Sequence, residues 1–374
     1  MAGRSGYEHG FALLKQRRVR EALAFFEQAK DPPDECRAAK WECHMLLGDF
    51  EQAWKTSDEI SAHNPQQEDC FWNGEPLADS YLMIRCLHGY GDAVQFIRYA
   101  KPLREIARRV TVEAAGRLMP ILRSVAGVDE VITWEEKNPR EPFWNQQIEV
   151  MELPRIFRTT QSSIPGTIPY LRIDPCLLDR ACKHVPDDGA LHVGIAWTAG
   201  EWNPVRSIPP AEVGRIAGCE GCTFHSLQGS SKAANAGKLA AGTRLRCGAG
   251  EDEGLDCALA LIAKMDLVIT VDTVIAHLAG AIGKPVWTLL PFDGDWRWMT
   301  ERPDSPWYPS MRLFRQPAPG DWASVVDDVR SQIAALCSAR RVRPLPEAVP
   351  SRNTSRLCAL ARHGFLPRSR LSGR

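Results

Sequence analysis

An acid, a hydroxyl and then a histidine follow a strongly apolar stretch of this sequence. The stretch Leu267–Val271 is β-branched and apolar on both faces, which predicts a central parallel strand. Asp272 and Thr273 are both good helix N-caps, and the small residues after them predict a helix that ends near Gly283. A helix N-terminus at the carboxyl end of a strand offers unpaired backbone N–H groups and a positive dipole end. The pattern therefore indicates an anion-binding turn, and a diphosphate is its natural ligand.

Val274, Ile275 and His277 occupy the first turns of this predicted helix and are candidate ligand contacts. The alternative is an ordinary strand-turn-helix, in which Asp272 only caps the helix and His277 is a core residue with a satisfied ring. These residues alone leave both interpretations open.

A second buried strand, HVGIAW, precedes a loop that carries Thr198 and Arg206. Parallel strands present their carboxyl ends at one edge, so this loop is expected beside Asp272. A guanidinium binds phosphate oxygens in a bidentate manner, and Arg206 is therefore a candidate for holding a diphosphate. The alternative makes Arg206 a surface residue before a helix. Gln228 ends the next predicted strand and is a candidate contact for a base or a sugar.

In the N-terminal half, a short apolar strand ends in His-Gly-Tyr-Gly-Asp. Gly89 and Gly91 allow close approach of the backbone to a ligand, and Asp92 is aimed from this turn into the predicted cleft. A carboxylate there could remove the proton from an attacking hydroxyl. The alternative role of Asp92 is helix capping. No third glycine follows at the spacing of a dinucleotide fingerprint, which argues against a nicotinamide-dependent oxidoreductase.

The segment from residue 291 to 316 is rich in tryptophan and arginine. Trp296 and Arg297 are candidate contacts for an acceptor sugar or for the loop around it, because aromatic faces and guanidinium groups suit sugars and bases. Packing of this segment over the N-terminal half explains the same composition equally well.

Composition limits the classes of function. The 46 basic and 46 acidic side chains give a formal net charge of zero, so no electrostatic argument favours a nucleic-acid partner. No stretch approaches the roughly 18 consecutive apolar residues of a membrane span, and the first residues lack a signal-peptide core. The 12 cysteines have no metal-ligand spacing, which predicts reduced thiols, no metal site and a cytoplasmic protein.

The order of predicted elements indicates an α/β protein with a short all-α segment at its N-terminus. Residues 6–62 are expected to be helical, and two related segments 31 residues apart come close to a tetratricopeptide period, although a plain helical cap explains them equally well. Two alternating strand-helix series follow, each typical of a parallel sheet, with irregular sequence at 135–154. The predicted domains are 1–68 (tetratricopeptide-like helices), 69–178 (N-terminal Rossmann-like, acceptor), 179–338 (C-terminal Rossmann-like, donor) and 339–374 (basic disordered tail).

Taken together, these motifs resemble glycosyltransferase family 9, the heptosyltransferase-like group, and in particular its bacterial members with N-terminal tetratricopeptide repeats. The resemblance runs from about Asp79 to Leu336 and is carried by DLVITVDTVIAHLAGAIGKPVW, DWRW and SPWYPSMRLFRQ. It implies a GT-B architecture, a pair of Rossmann-like domains facing across a cleft, with an inverting reaction that needs neither metal nor cofactor.

The resemblance also assigns roles by position. Asp92 matches the family's catalytic aspartate, Arg206 matches a basic residue on the donor phosphates, and Asp272 to His277 match the donor-binding turn. We therefore expect a glycosyltransferase that moves a sugar from a nucleoside-diphosphate sugar to an acceptor hydroxyl of a saccharide or protein, with a protein partner at the helical repeats. The alternative is a catalytically silent scaffold that binds proteins.

Overall fold

The computed structural model describes residues 7–29, 32–63, 70–77, 79–134, 143–200, 203–228, 245–247 and 253–342. Within these ranges, the chain forms a helical segment followed by two parallel sheets flanked by helices. None of the helices in this part of the chain combines the length and the hydropathy needed to cross a membrane.

The N-terminal segment is helical, as the sequence predicts. Its first three helices share a small core of their own around Phe26, and Gly48, with a positive φ of 76°, ends the third helix. Only glycine adopts this left-handed conformation without steric cost, which explains the tight connection to the fourth helix. The helices are α1 (Glu8–Lys15), α2 (Val19–Glu27), α3 (Asp34–Leu47) and α4 (Phe50–His63).

The first sheet has four parallel strands in the order β3-β2-β1-β4. The chain order reverses between β1 and β4, which is the position where open α/β sheets bind ligands. The last strand, with the sequence QQIE, lies in the region expected to be irregular; this expectation is wrong because pairing with β1, not local hydrophobicity, makes it a strand. The elements are β1 (Tyr81–Arg85), α5 (Tyr90–Phe96), α6 (Ala100–Ile106), β2 (Arg109–Ala114), α7 (Met119–Leu122), β3 (Glu130–Thr133), β4 (Gln146–Glu149) and α8 (Leu153–Ile156).

The second sheet has six parallel strands in the order β10-β9-β8-β5-β6-β7. This is the doubly wound Rossmann order, and its reversal point lies between β5 and β8. Residues 311–315, which lie in the segment rich in tryptophan and arginine and were not predicted to be a strand, form its last strand. The elements are α9 (Pro175–His184), β5 (Leu191–Ala196), α10 (Pro210–Ala217), β6 (Cys222–Ser226), β7 (Leu245–Cys247), α11 (Leu255–Lys264), β8 (Leu267–Val271), α12 (Val274–Ala281), β9 (Val286–Leu290), β10 (Met311–Arg315) and α13 (Trp322–Val342).

Two of the domain limits drawn from the sequence fall inside helices. The limit between 178 and 179 lies within α9, which packs against α11, and we therefore propose that the C-terminal domain begins at Pro175. The limit between 338 and 339 lies within α13, which continues to Val342. The limit between 68 and 69 and most of the predicted tail, residues 343–374, lie outside the described residues.

A continuous apolar core joins α4, the first sheet and the inner face of the second sheet. Arg98 is buried at its centre and donates to the carbonyl oxygens of Gln95 and Trp307 and to the hydroxyl of Tyr170. Its guanidinium also lies 5.0 Å from the ring centre of Tyr308. These contacts connect both domains through one buried cation, which fixes their relative position.

Candidate functional site

The reversal points of the two sheets open on one cavity of about 280 Å³. Loops and helix starts that follow β1, β2, β5 and β8 supply its walls, together with a turn after β9. Three arginines and two aspartates line it, and a third aspartate, Asp295, pairs with one of these arginines. The lining residues are Gly89, Tyr90, Gly91, Asp92, Arg117, Thr198, Gly200, Arg206, Asp272, Thr273, Val274, His277 and Arg297.

Asp92 comes from the N-terminal domain and is largely buried, with 15% of its side chain exposed. Its Oδ2 accepts the backbone N–H of Gly89 at 3.0 Å, so the capping role considered from the sequence is present. Its Oδ1 accepts from Nη2 of Arg297 at 2.6 Å, across the boundary between the domains. The aspartate thus faces the C-terminal domain, as a base acting on a substrate there would have to.

Arg297 is surrounded by carboxylates. Asp295, with which it also pairs at 3.4 Å, caps the short 3₁₀-helix Trp296–Trp298 and so holds the arginine in place. Burial by itself would lower the pKa of Arg297, but the charges of Asp295, Asp92 and Asp272 outweigh burial and raise this pKa above its ordinary value. Arg297, named from the sequence as an acceptor or loop contact, is therefore the direct partner of Asp92.

Arg206 and Asp272 form the second ion pair of the cavity, at 3.4 Å. Arg206 is 9% exposed, and the interpretation of it as a surface residue is therefore wrong. Burial, followed by the charge of Asp295, raises the pKa of Asp272 above its ordinary value. Asp272 does not cap α12, because the N-cap position is taken by Thr273.

The N-terminus of α12 borders the cavity through Thr273 and Val274. Thr273 has extended backbone angles and makes no side-chain capping bond to the helix. The first N–H groups of a helix have no carbonyl partner within the helix, so this end has donors to offer an anion. Ile275 is fully buried in the core, which leaves only its backbone for such a contact.

His277 is a buried core residue, as the alternative interpretation of the sequence proposed. Its Nδ1 lies 2.9 Å from the hydroxyl of Tyr308, and burial lowers its pKa well below the ordinary value. A Cβ added to Gly91 would lie 2.7 Å from Cδ2 of His277. Gly91 is therefore needed for close packing of α5 against α12, in addition to its place in the cavity wall.

Three candidate residues lie outside the lining of this cavity. Gln228 is buried, and its Oε1 accepts the backbone N–H groups of Trp197 and Thr198 at 2.9 Å, so it shapes the loop after β5. Ile275 is in the core, as described above. Trp296 packs against Phe96 and Trp41, with ring centres 6.4 and 5.3 Å away.

A second cavity of about 630 Å³ adjoins the first, and Arg206 and Asp272 line both. Its other walls come from Trp296 and from helices α1 and α3, including Trp41. The helical segment thus contributes to the surroundings of the site. Sequence reasoning could not detect this contact, since no local pattern tells which domain surface α3 packs against.

Glu149, at the end of β4, is a titratable group near Asp92 that the sequence analysis missed. Burial raises the pKa of its carboxyl to about 7, and the charges of Glu152 and Asp92 add to this effect, although Oε2 accepts the N–H of Met151. Below a pH of about 4.5 the group is protonated in both folded and unfolded chains. As the pH rises from 4.5 to 7, the unfolded chain releases its proton first, and the folded state loses stability.

Glu149→Gln should therefore raise the free energy of unfolding by about 1–3 kcal/mol at pH 8 and by much less at pH 4.5. Glutamine keeps an oxygen that can accept the Met151 N–H. Urea denaturation at several pH values measures the difference, with the exposed residue Glu105 replaced by Gln as the matched control. A gain in stability that does not grow with pH would contradict this account.

No cluster of three or more His, Cys, Asp or Glu side chains suited to holding a metal ion occurs in the described ranges. The two aspartates that line the cavity are each paired with an arginine.

Comparison with known proteins shows similarity in sequence and fold. The model of glycosyltransferase family 9 (heptosyltransferase) matches residues 211–292. Protein FlbA of Caulobacter vibrioides is 24% identical over 367 residues, an alignment that covers 87% of this chain and 60% of FlbA. The chain therefore spans less than two thirds of the length of this curated relative.

Solved structures share the arrangement of the domains. A family 9 glycosyl transferase from Veillonella parvula aligns with a TM-score of 0.52 and 13% identity, covering 72% of this chain and 99% of that one. The ADP-heptose LPS heptosyltransferase II of E. coli aligns with a TM-score of 0.52 and 15% identity, covering 70% and 99%. The two Rossmann-like domains thus form a GT-B fold, preceded by an all-helical segment.

Proposed function

We propose that this protein is a glycosyltransferase that moves a sugar from a nucleoside-diphosphate sugar to an acceptor hydroxyl, with inversion and without a bound metal ion. The observation that carries the proposal is the shared cavity, in which Asp92 of one domain faces Arg206 and the start of α12 from the other. The family 9 match in the C-terminal domain supports this assignment.

The diphosphate of the donor would lie against Thr273 and Val274, with Arg206 on its oxygens. The guanidinium of Arg206 and the positive end of the α12 dipole favour an anionic ligand in the cavity. Thr198 lines the same cavity and offers a hydroxyl to the donor.

In the reaction, Asp92 would take the proton of the acceptor hydroxyl as that oxygen attacks the anomeric carbon. The bond from this carbon to the diphosphate breaks in the same step, and attack from the opposite face inverts the configuration. Arg206 and the N-terminus of α12 would stabilise the charge on the leaving diphosphate, which is the contribution that a divalent cation makes in other enzymes. Arg297 would act as a positioning residue that orients Asp92 through their 2.6 Å contact.

The acceptor is proposed to be a saccharide or a protein that enters beside Gly89 and Trp296. The helical segment, whose tetratricopeptide identity remains a prediction, is proposed as the surface for a protein partner. The cytoplasmic location inferred from the sequence also remains a prediction.

One observation favours the alternative of a catalytically silent scaffold. Both carboxylate oxygens of Asp92 are already engaged, one by Gly89 and the other by Arg297. A carboxylate oxygen that accepts one hydrogen bond keeps a second lone pair, so proton transfer to Asp92 needs an acceptor hydroxyl aimed at one of the remaining lone pairs. A scaffold needs no such access to Asp92.

Binding of nucleotide sugars by the full chain tests the proposal. Isothermal calorimetry with uridine, guanosine, adenosine and cytidine diphosphates and their sugar esters should find at least one ligand with a Kd between about 1 μM and 1 mM. Hydrolysis or transfer should follow with that donor. Absence of binding across the whole panel would contradict the proposal and support the scaffold.

A further inference from the structure

A third cavity of about 400 Å³ lies between the α1–α2 turn and the end of β10. It shares no lining residue with the cavity of Asp92 and Thr273. Four arginines line it, namely Arg17, Arg18, Arg20 and Arg315, against two glutamates. The glutamates pair with the two outer arginines, as Arg18–Glu21 and Arg20–Glu301. Of the two inner arginines, Arg17 pairs with Asp293, whose side chain is largely exposed, whereas Arg315 has no carboxylate partner in the described ranges.

Arg315 is a buried cation with no carboxylate partner among the described residues. Its Nη2 donates to the carbonyl oxygen of Trp298, while its Nε has no hydrogen-bond partner within the same part of the chain. Burial, followed by the charge of Arg17, lowers the pKa of Arg315 to about 10. The guanidinium of Arg17 therefore adds to the free-energy cost of burying the charged Arg315 side chain.

Two other residues that line this cavity, Arg17 and Gln316, also hold donors without partners in the described ranges. Arg17 has 10% of its side chain exposed; it binds the carbonyl of Gly294 and the largely exposed Asp293 through Nη2. Its Nε and Nη1 are buried without a partner in the described ranges. Gln316 is 5% exposed, and its Oε1 accepts the N–H groups of Phe292 and Gly320. These two bonds fix the amide so that Nε2 is the donor left over, and it too is unpaired there.

The backbone at this position also favours an anion. Helix α2 begins here, and its N-cap, Arg18, supplies no side-chain capping bond. Guanidinium groups at the positive end of a helix dipole destabilise it, whereas an anion stabilises it. Arg17 has a positive φ of 58°, a strained conformation for a residue with a side chain, and such strain is concentrated at functional sites.

We propose that this cavity binds the phosphate group of a small phosphate monoester, at a site formed by Arg17, Arg315 and Gln316. Two guanidinium groups and one amide would then donate to phosphate oxygens, and the phosphate would neutralise the uncompensated charge of Arg315. The volume of about 400 Å³ is within the range of small-molecule sites and leaves room for a sugar-sized group beside the phosphate. Arg17 and Gly294 also line the 630 Å³ cavity. The proposed site therefore adjoins that cavity, which Arg206 lines as well.

Calorimetry on the full chain tests the site, with inorganic phosphate and glucose 6-phosphate as probes. Both should bind, and the monoester should bind more tightly. Gln316→Glu keeps the oxygen that accepts from Phe292 and Gly320 but replaces the free amide donor by a negative charge. The affinity for both probes should therefore fall by at least about 10-fold. Arg315→Gln should do the same, with thermal melting used to confirm that each variant is folded.

Two controls separate this site from others. Arg312→Gln removes an exposed arginine of the same strand, and phosphate affinity should stay within about two-fold. Arg206→Gln should likewise leave unchanged the phosphate affinity that Gln316→Glu lowers. This expectation holds whether or not the protein transfers sugars. Phosphate binding that survives Gln316→Glu and is lost in Arg206→Gln would overturn the proposal, as would binding of inorganic phosphate without any binding of the monoester.

Discussion

Replacing Asp92 by asparagine is expected to lower the rate of sugar transfer by about 10²–10⁴-fold, the usual contribution of a positioned general base. Asparagine can still accept the N–H of Gly89, so α5 keeps its capping contact. It cannot take a proton from the acceptor at neutral pH. The loss should appear in kcat and kcat/KM alike, because a base acts in the transition state and not in donor binding. Single-turnover kinetics with the donor found by calorimetry measures the change.

Asp295→Asn is the comparison variant for this experiment. It also removes a carboxylate from the surroundings of Arg297 but leaves Asp92 in place. We expect its activity to fall by less than about 10-fold, since its effect reaches the base only through the position of Arg297. Equal losses in the two variants would mean that the charge balance of Arg297, and not proton transfer by Asp92, limits the reaction. Full activity of Asp92→Asn would rule out the assigned base.

Replacing Arg206 by glutamine is expected to lower kcat/KM by about 10²–10³-fold, the range seen when a donor facing developing charge is removed. Affinity for the nucleoside diphosphate should fall at least about 10-fold, because a charge-assisted bond to the phosphates is lost. The variant also leaves the buried Asp272 without its partner at 3.4 Å. We therefore expect the free energy of unfolding to drop by about 1–3 kcal/mol.

The double variant Arg206→Gln, Asp272→Asn separates these two effects. Removing the unpaired carboxylate should restore most of the lost stability, since the pair is replaced by neutral groups. Activity should stay low, because the cation that faces the leaving group is still missing. Recovery of activity together with stability would show that Arg206 acts only by supporting the fold. Arg302→Gln, which removes a partly buried arginine paired with Asp304, is the matched control for loss of one positive charge.

The elements that form the two sheets were largely readable from local sequence. Runs such as Leu267–Val271 are buried on both faces, as parallel strands between helices must be, so their composition is distinctive. The sequence did not predict the strands β4 and β10, for two different reasons. The first contains two glutamines and is held by β1, while the second lies inside a stretch rich in tryptophan and arginine that also suits a loop.

The candidate site also has one part that the sequence predicted and another part that it did not predict. The sequence by itself determined which groups follow the strand ends: Asp92 after β1, Thr198 after β5, and Asp272 and Thr273 after β8. Parallel topology brings strand ends of one sheet to a common edge, so neighbouring turns on that edge can be inferred without coordinates.

Only the tertiary structure decided the partners of these groups. The contacts Asp92–Arg297 and Arg206–Asp272 join residues that are 205 and 66 positions apart, and no local pattern encodes such pairs. The contact between α3 and the 3₁₀-helix at Trp296, and the meeting of Arg17 with Arg315, likewise depend on how the helical segment docks. Local sequence sets secondary structure through backbone propensity and hydrophobic period, but electrostatic partners are set by the packing of whole domains, which depends on the complete buried surface.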